Sequence, residues 1–261
     1  NCWWLAGIYG IIRATNNRWM PAMNRTYYKV GIDDTDKKNV VYKGKKIEWM
    51  SPYLNKWKAM IARCYSEREL SKFPKYRGVT VCPEWLYLSN FEKWMMAQDW
   101  EGNELDKDFL SYGEKVYSPE TCAFIPKRMN YYLGDCIERR GQFALGVTYQ
   151  ADRKRFASYV RKAGRSVGLG RFKSEIEAHN AYQKAKLEIG REMYSELIGT
   201  TDARAMRSFD NILNKLQSDI ESGSETLSLH PNTFPSEGKL EMPVTATPDQ
   251  TDQNPMVRNQ Q

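Results

Sequence analysis

The sequence predicts an α+β protein in which short strands and amphipathic helices alternate, and three observations indicate this fold class. Several segments repeat apolar residues at three- and four-residue spacing, which is typical of helices with one buried face. Other segments alternate apolar and polar residues between polar or glycine-containing turns, which is typical of strands. Between residues 144 and 190, three such strands precede one helix, which predicts a three-stranded antiparallel sheet packed on a single helix.

The chain is basic. Its 261 residues carry a net charge of +7, and its length suits one or two compact domains. This charge favours an acidic partner, either nucleic acid or an anionic membrane surface. The apolar run CWWLAGIYGII near the N-terminus has only eleven residues and is too short to span a bilayer, so we expect no membrane partner.

The cysteines predict reduced thiols. There are five of them, an odd number, and no two stand in a C-x-x-C pair, so a disulfide framework is not expected and a reducing cytosol fits best. A zinc site is disfavoured because the spacings are long and irregular. Buried thiols that act as small hydrophobic side chains are the alternative.

Both termini depart from the pattern between them. We interpret residues 1–22 as upstream read-through or a fragment edge, because Met20 and Met23 stand just before the sequence becomes regular. Residues 200–221 predict an amphipathic helix that docks back or pairs with a partner. Residues 222–261 hold five of the eleven prolines and many polar residues, which predicts a disordered tail.

Two helices are expected in the first half. One begins after Ser51, with Pro52 in its first turn and an apolar stripe that includes Leu54, Trp57 and Ile61. The second begins at Ser89, which together with Glu92 forms a predicted capping box. Between them, YRGVTVCPEW predicts a turn and a short strand.

The stretch LDKDFLSYGEKVYSPETCAFIPKRMN predicts two short strands joined by a loop at Gly113, followed by a helix that ends near Gly134. Alternate residues of a strand share a face, so Asp106 and Asp108 are expected on the same side. Asp108 is then a candidate base or second metal ligand. The alternative is that both carboxylates cap a turn.

The three strands between residues 144 and 172 predict one buried and one open face. On the middle strand, Phe156, Ser158 and Val160 share the face toward the helix, whose small alanines allow close packing. Residues 141–192 hold eleven Lys or Arg against five Asp or Glu. The open face either reads DNA in the major groove or is a solvated basic surface. The side chains on the strands or their turns that carry this prediction are Arg153, Arg155, Tyr159, Arg161, Arg165 and Arg171.

The segment LGVTYQADRKRFASYVRKAGRSVGLGRFKSEIEAHNAYQKAK resembles the Apetala-two/ERF DNA-binding domain in its GV first strand, its LG.F third strand and its EA..AY..A helix. The resemblance implies a DNA-binding domain over residues 141–192. It also implies that the sheet lies in the major groove and that Arg153, Arg155, Tyr159, Arg161 and Arg171 contact DNA. Ala157 and Gly168 take two outward positions where the family places larger side chains.

The upstream half, over residues 26–138, resembles phage-borne HNH homing endonucleases in WKAMIARCY, YRGVTVCPEW and the LDKD to RMN stretch. The resemblance implies a ββα-metal module in which Asp106 and Asn130 bind one Mg²⁺. It also places Lys107 where the base histidine is expected and Thr121 where a bracing asparagine is expected. Lys107 could hold a phosphate as a cation. The candidate catalytic residues are Asp106, Lys107, Asp108 and Asn130.

Only His179 and His230 could replace the missing base, and both are expected to face solvent, the second within the tail. The predicted function is sequence-directed duplex-DNA binding with metal-dependent phosphodiester hydrolysis of the homing type. The alternatives are a non-catalytic, regulator-like DNA-binding protein on a degenerate nuclease scaffold and an RNA-binding or assembly protein. We expect a cytoplasmic protein, in the host cell if phage-encoded, with no small-molecule substrate.

Overall fold

The computed structural model describes residues 25–111, 113–134 and 142–231, and it shows the mixed α+β composition that the sequence predicts. The strands of this part are β1 (Arg25–Tyr27), β2 (Gly31–Asp33), β3 (Val40–Lys43), β4 (Lys46–Met50), β5 (Thr80–Val81), β6 (Asn103–Asp106), β7 (Val116–Tyr117), β8 (Ala123–Pro126), β9 (Val147–Gln150), β10 (Arg155–Lys162) and β11 (Arg165–Phe172). The helices are α1 (Pro52–Tyr65), α2 (Glu67–Lys72), α3 (Leu88–Met96), α4 (Asp108–Ser111), α5 (Lys127–Tyr132), α6 (Glu175–Leu197) and α7 (Ala203–Ser222).

The first core forms around α1. Leu54, Trp57 and Ile61 are fully buried, which confirms the apolar stripe, and the Trp57 indole donates to the carbonyl of Trp85 at 2.7 Å. Pro52 opens the helix as predicted, but the Ser51 side chain makes no capping hydrogen bond.

The capping box predicted for α3 is wrong. The helix begins at Leu88, so Ser89 lies inside it and its hydroxyl donates to Asp34 at 2.5 Å. Glu92 pairs instead with Lys37 across the chain, at 3.0 Å. Tertiary partners therefore claim both side chains that the local pattern assigned to the cap.

The strand, loop, strand, helix order around LDKD is confirmed. β6 pairs antiparallel with β8, and α5 follows β8 directly. The prediction that Asp108 lies on the same strand as Asp106 is wrong, because β6 ends at Asp106 and Asp108 opens α4. The turn forms because the Asp106 carboxylate accepts from the backbone N–H of Phe109 at 3.0 Å and so caps the helical turn.

β9, β10 and β11 form the predicted antiparallel sheet in the order β11, β10, β9, with α6 across one face. Ser174 and Glu177 form a full capping box at the start of α6. Gly146 allows α6 to approach the sheet, because a Cβ at this position would lie 2.1 Å from the Tyr182 ring and its φ is +74°.

α6 and α7 join the two halves of the chain. α6 extends to Leu197, and one apolar cluster combines Met129 and Tyr132 of α5 with Leu187 of α6 and Phe209 of α7. Gly190 permits this approach, since a Cβ there would lie 2.4 Å from Leu213 and 2.5 Å from the Tyr132 hydroxyl. The helix predicted over residues 200–221 is therefore present and docks back on its own chain.

The disordered tail was predicted to begin at residue 222, and this boundary is too early. Residues 223–231 pack against the body, where Thr226 and Leu229 are buried. Residues 232–261 and the predicted leader, residues 1–22, lie outside the described residues.

The described cysteines are free thiols. Cys64 and Cys122 are buried, as predicted, and burial raises the pKa of each thiol to about 12. In the described part of the chain, every helix is too short or too polar to cross a lipid bilayer.

Candidate active-site cleft and basic sheet face

The residues of the LDKD stretch line a cleft of about 410 Å³ between α1 and the β6–β8–α5 unit. Its charged and amide side chains include three carboxylates, four cations and two asparagines. They are Glu104, Asp106, Asp108, Lys56, Arg63, Lys75, Lys107, Asn55 and Asn130. The structure therefore brings together all four residues that the sequence nominated for catalysis.

Asp106 is an acid of the cleft whose pKa is raised. It is 7% exposed. Burial and the negative charge of Asp108 raise its pKa to about 6, although backbone hydrogen bonds from Phe109 and Asp108 oppose the shift. A buried carboxylate beside a second carboxylate is an electrostatic arrangement that a bound cation would relieve.

Asp108 has the opposite perturbation. Burial alone would raise its pKa, but a hydrogen bond from His230 and the positive charge of Lys107 outweigh burial and hold the pKa below its usual range. The Lys107 ammonium lies 2.6 Å from one Asp108 oxygen. Lys107 therefore forms an ion pair with Asp108.

His230 was expected to face solvent in the tail, but it lies beside Asp108. Its Nε2 lies 3.5 Å from the second Asp108 oxygen, and its side chain is 30% exposed. The prediction of a solvent-facing histidine in the tail fails because Leu229 is buried and holds the segment against the body. In the sequence, the apolar residue Leu229 directly before His230 is the signal that could have indicated this docking.

His179 was also expected to face solvent, and this prediction is wrong. It is 3% exposed, its Nε2 accepts from the Thr226 N–H at 3.1 Å, and its Nδ1 lies 3.0 Å from the Leu145 carbonyl. Because Nε2 accepts, Nδ1 carries the proton and donates to Leu145. Both nitrogens thus serve the fold, tying residues 145 and 226 to α6.

Asn130 lies on α5 and faces the same cleft. Its amide nitrogen donates to Glu104 at 3.3 Å, which turns the amide oxygen away from Glu104 and leaves it as the group able to bind a cation. Thr121, at the position of the expected bracing asparagine, holds the loop before β8. Its hydroxyl donates to the Val116 carbonyl at 2.7 Å and accepts from the Ser118 N–H at 3.0 Å.

Besides Lys107, three cations border the carboxylates of the cleft. Burial lowers the pKa of Lys56, whose ammonium donates to the Asn103 carbonyl at 2.7 Å. Arg63 lies in the cleft wall, where its charge interacts with the Tyr117 phenol. Lys75, above the ring of Tyr76, completes the set. A phosphate that entered the cleft would meet positive charge on the α1 side and carboxylates on the β6 side.

The donor set fits magnesium better than zinc. Among the described residues, no three His, Cys, Asp or Glu side chains come together as a metal site. One carboxylate from Asp106 and one amide oxygen from Asn130 supply only hard oxygen ligands. Mg²⁺ commonly accepts one or two protein oxygens and keeps its remaining positions for water and substrate phosphate.

The basic sheet face is the side of β9–β11 away from α6. The cross-strand register places Arg155, Tyr159, Arg161 and Arg171 on this face, and all four are exposed. Gln150 links two of them, since its amide lies 3.3 Å from the Tyr159 hydroxyl and 2.8 Å from the Arg171 guanidinium. The described residues of this face include no carboxylate, so the arginine charges add.

Two predicted positions differ from this face. Arg165 is the cross-strand neighbour of Lys162, so the two side chains lie on the same face of the sheet. The Lys162 ammonium lies 2.8 Å from Glu192 of α6, which places both residues on the helix side. Arg153 lies in the β9–β10 turn, where it pairs with Asp152 at 3.3 Å. Ala157, expected to point outward, is on the outer face but only 1% exposed, because it lies between Thr148 and Arg171.

Comparison with known proteins yields no match: no protein-family profile, curated protein or solved structure corresponds to this chain. Both family resemblances therefore stay predictions that rest on residues and geometry.

Proposed function

We propose that this protein binds duplex DNA through the basic sheet face and hydrolyses phosphodiester bonds in the cleft with the help of a divalent cation. The observation that carries the proposal is the cleft itself, where the buried Asp106 and the partly buried Asp108 meet an amide and several cations at the end of a ββα unit. Carboxylates for a metal beside cations for phosphate are the chemistry that phosphodiester hydrolysis requires.

Asp106 and Asn130 would hold the cation, which when bound would supply Lewis-acid polarisation of the scissile phosphate and would offset charge on the leaving oxygen. The raised pKa of Asp106 supports this assignment, because a nearby positive charge would favour the ionised carboxylate. On the opposite wall, Lys56, Arg63 and Lys75 bind the phosphates on either side.

The proton transfer is assigned to His230 and Asp108. The low pKa of Asp108 keeps it ionised at neutral pH, and Lys107 compensates its charge. An ionised carboxylate beside an imidazole orients the ring and stabilises the imidazolium that forms when His230 takes a proton from the attacking water. The chain thereby recovers, from its C-terminal segment, a base that the LDKD stretch does not contain.

A non-catalytic DNA-binding protein is the second candidate, and two hydrogen bonds favour it. Asp106 caps α4 through Phe109, and Asp108 pairs with Lys107, so both carboxylates have structural partners without any metal. In that case the cleft is a docking surface for a phosphate, and the arginines of the sheet provide the DNA affinity.

A plasmid nicking assay separates the two candidates. Supercoiled DNA is incubated with the protein and Mg²⁺ or Mn²⁺, and conversion to open-circular or linear forms is followed. Asp106→Asn and Asn130→Ala should each lower the nicking rate by about a thousandfold, because either change removes a cation ligand. Asp106→Asn keeps an oxygen that can accept from Phe109, so the turn is preserved.

Asp36→Asn and Asn211→Ala are the matched controls, because both residues are exposed and neither lines the cleft. Their nicking rates should equal that of the unchanged protein. If the protein binds duplex DNA but does not nick it with either metal, the non-catalytic candidate replaces the nuclease. If nicking survives both cleft substitutions, the cleavage site is elsewhere.

A further inference from the structure

The hairpin formed by β3 and β4 projects from the first core into solvent. Every residue from Tyr42 to Trp49 is exposed, although the segment includes three large apolar side chains. Tyr42 is 61% exposed, and Ile47 and Trp49 are each 48% exposed. An isolated two-stranded ribbon of this kind buries too little to be stable alone, so its exposed aromatic side chains require another explanation.

The base of the hairpin is fixed. Val40 is buried in the first core, Met50 packs against that core, and the Ser51 N–H donates to the Asn39 carbonyl at 2.8 Å. Ser51 leads directly into α1, whose Asn55 and Lys56 line the cleft. The base of the ribbon thus leads directly into the helix that forms one wall of the cleft.

The tip of the hairpin concentrates positive charge. Lys43 and Lys46 are cross-strand partners, Lys45 lies in the turn between them, and Gly44 adopts a φ of +62°. None of these lysines forms an ion pair with a described residue. Like charges placed opposite each other on a ribbon destabilise it, so the arrangement costs stability in the free protein.

We propose that the β3–β4 hairpin is a second DNA-contacting element, which lies in a groove of the duplex with its lysines on phosphates and its aromatic side chains against sugars and bases. A two-stranded ribbon has the width of the major groove, and lysine and aromatic side chains suit phosphate and base contacts respectively. The inference rests on the proposed function in one respect, that duplex DNA is the ligand.

Charge also decides against a second copy of this chain as the occupant. Pairing two of these hairpins would bring two sets of Lys43, Lys45 and Lys46 together, whereas DNA neutralises them. Glu48 is the single acidic residue between Tyr42 and Trp49, and it cannot balance three lysines.

The test compares duplex-DNA affinity across salt concentrations for two triple variants with the same loss of charge. Lys43→Ala/Lys45→Ala/Lys46→Ala should reduce the steepness of log K against log salt by about three, because three phosphate contacts are lost. The matched control, Lys72→Ala/Lys93→Ala/Lys184→Ala, removes three exposed lysines from other elements and should change the slope by less than about one.

Trp49→Ala and Tyr42→Ala sharpen the result, because they should weaken binding by roughly tenfold at every salt concentration without changing the slope. Thermal melting of Trp49→Ala and Tyr42→Ala should match the unchanged protein, since both side chains are exposed. Equal slopes and affinities for the hairpin triple variant and the unchanged protein would overturn the proposal while leaving DNA binding intact. Sedimentation that shows a dimer abolished by Trp49→Ala, with the salt slope unchanged, would overturn it in favour of self-association. Failure of the unchanged protein to bind duplex DNA would reject the proposed function itself.

Discussion

The cleft and the basic sheet face both carry charge, but they hold it in different ways. In the cleft, Asp106 is 7% exposed and lies beside Asp108, so burial and the charge of Asp108 raise the pKa of Asp106. On the sheet face, the arginines are exposed and solvated, and salt screens them from one another. In the folded protein, the carboxylate charge of Asp106 is therefore unfavourable, whereas the charges of the exposed arginines cost little.

This difference fits the proposal that the cleft performs the chemistry and the sheet face provides DNA affinity. A buried acid with a raised pKa destabilises the folded protein, and its presence in a cleft is consistent with the proposed binding of a cation there. An exposed basic face gains its energy only when counterions leave the DNA, and it therefore contributes affinity without positioning reacting atoms. If the two regions divide the work in this way, substitutions in the cleft and on the sheet face should change different measured quantities.

The largest expected effect is on stability at the cleft. The folded-state pKa of Asp106 is raised from 3.8 to about 6, so the folded protein is penalised once the carboxylate ionises. Below about pH 4 the group is largely protonated in both states and costs little. The penalty grows between about pH 4 and pH 6, and it is fully present above pH 6. Asp106→Asn should therefore stabilise the protein by up to about 3 kcal/mol at pH 8 and by little at pH 4.

Urea unfolding of both proteins at several pH values measures this difference. Adding Mg²⁺ should stabilise the unchanged protein and leave Asp106→Asn unaffected, because only the carboxylate gains from a nearby cation. A stability difference that stays constant between pH 4 and pH 8 would contradict the buried, ionised state of Asp106. Asp36→Asn, at an exposed acid, serves as the control and should show no such pH dependence.

The second effect concerns the rate of nicking and the C-terminal segment. His230→Gln should lower the rate on the order of 100-fold, which is about 2.7 kcal/mol in the barrier, while DNA affinity stays the same. Because Asp108 acts through His230, adding Asp108→Asn to His230→Gln should cost little more than either change alone. The rate is followed across roughly pH 5–9, where an imidazole base titrates. Fully additive losses, or an unchanged pH profile in His230→Gln, would show that the pair does not transfer the proton.

The sequence predicts the parts of this molecule that local patterns determine. The sequence predicts the strands of the sheet and the helix that follows them, the apolar stripe on α1 and the ββα order, because all of these follow from spacing and turn residues. It does not predict contacts between residues far apart in the chain. The docking of His230 on Asp108 and the loss of the α3 cap to Asp34 and Lys37 both depend on packing across more than 50 residues. The prediction that Arg165 lies on the open face is wrong for a third reason. A bulge at Ser158 and Tyr159 shifts the register between β10 and β11.

The smallest effect tests that register directly, with two arginines of one hairpin. Arg161 lies on the outer face, whereas Arg165 pairs with Lys162 on the helix side. Arg161→Ala should weaken duplex binding by about tenfold and reduce the salt slope by about one, because a groove contact is lost. Arg165→Ala removes the same charge only four positions away and should weaken binding by no more than about twofold. Equal losses for the two variants would mean that affinity follows net charge rather than the face of the sheet. A larger loss for Arg165 would place DNA at the tip of the hairpin, so the measurement distinguishes a sheet laid in the groove from a loop that touches the backbone.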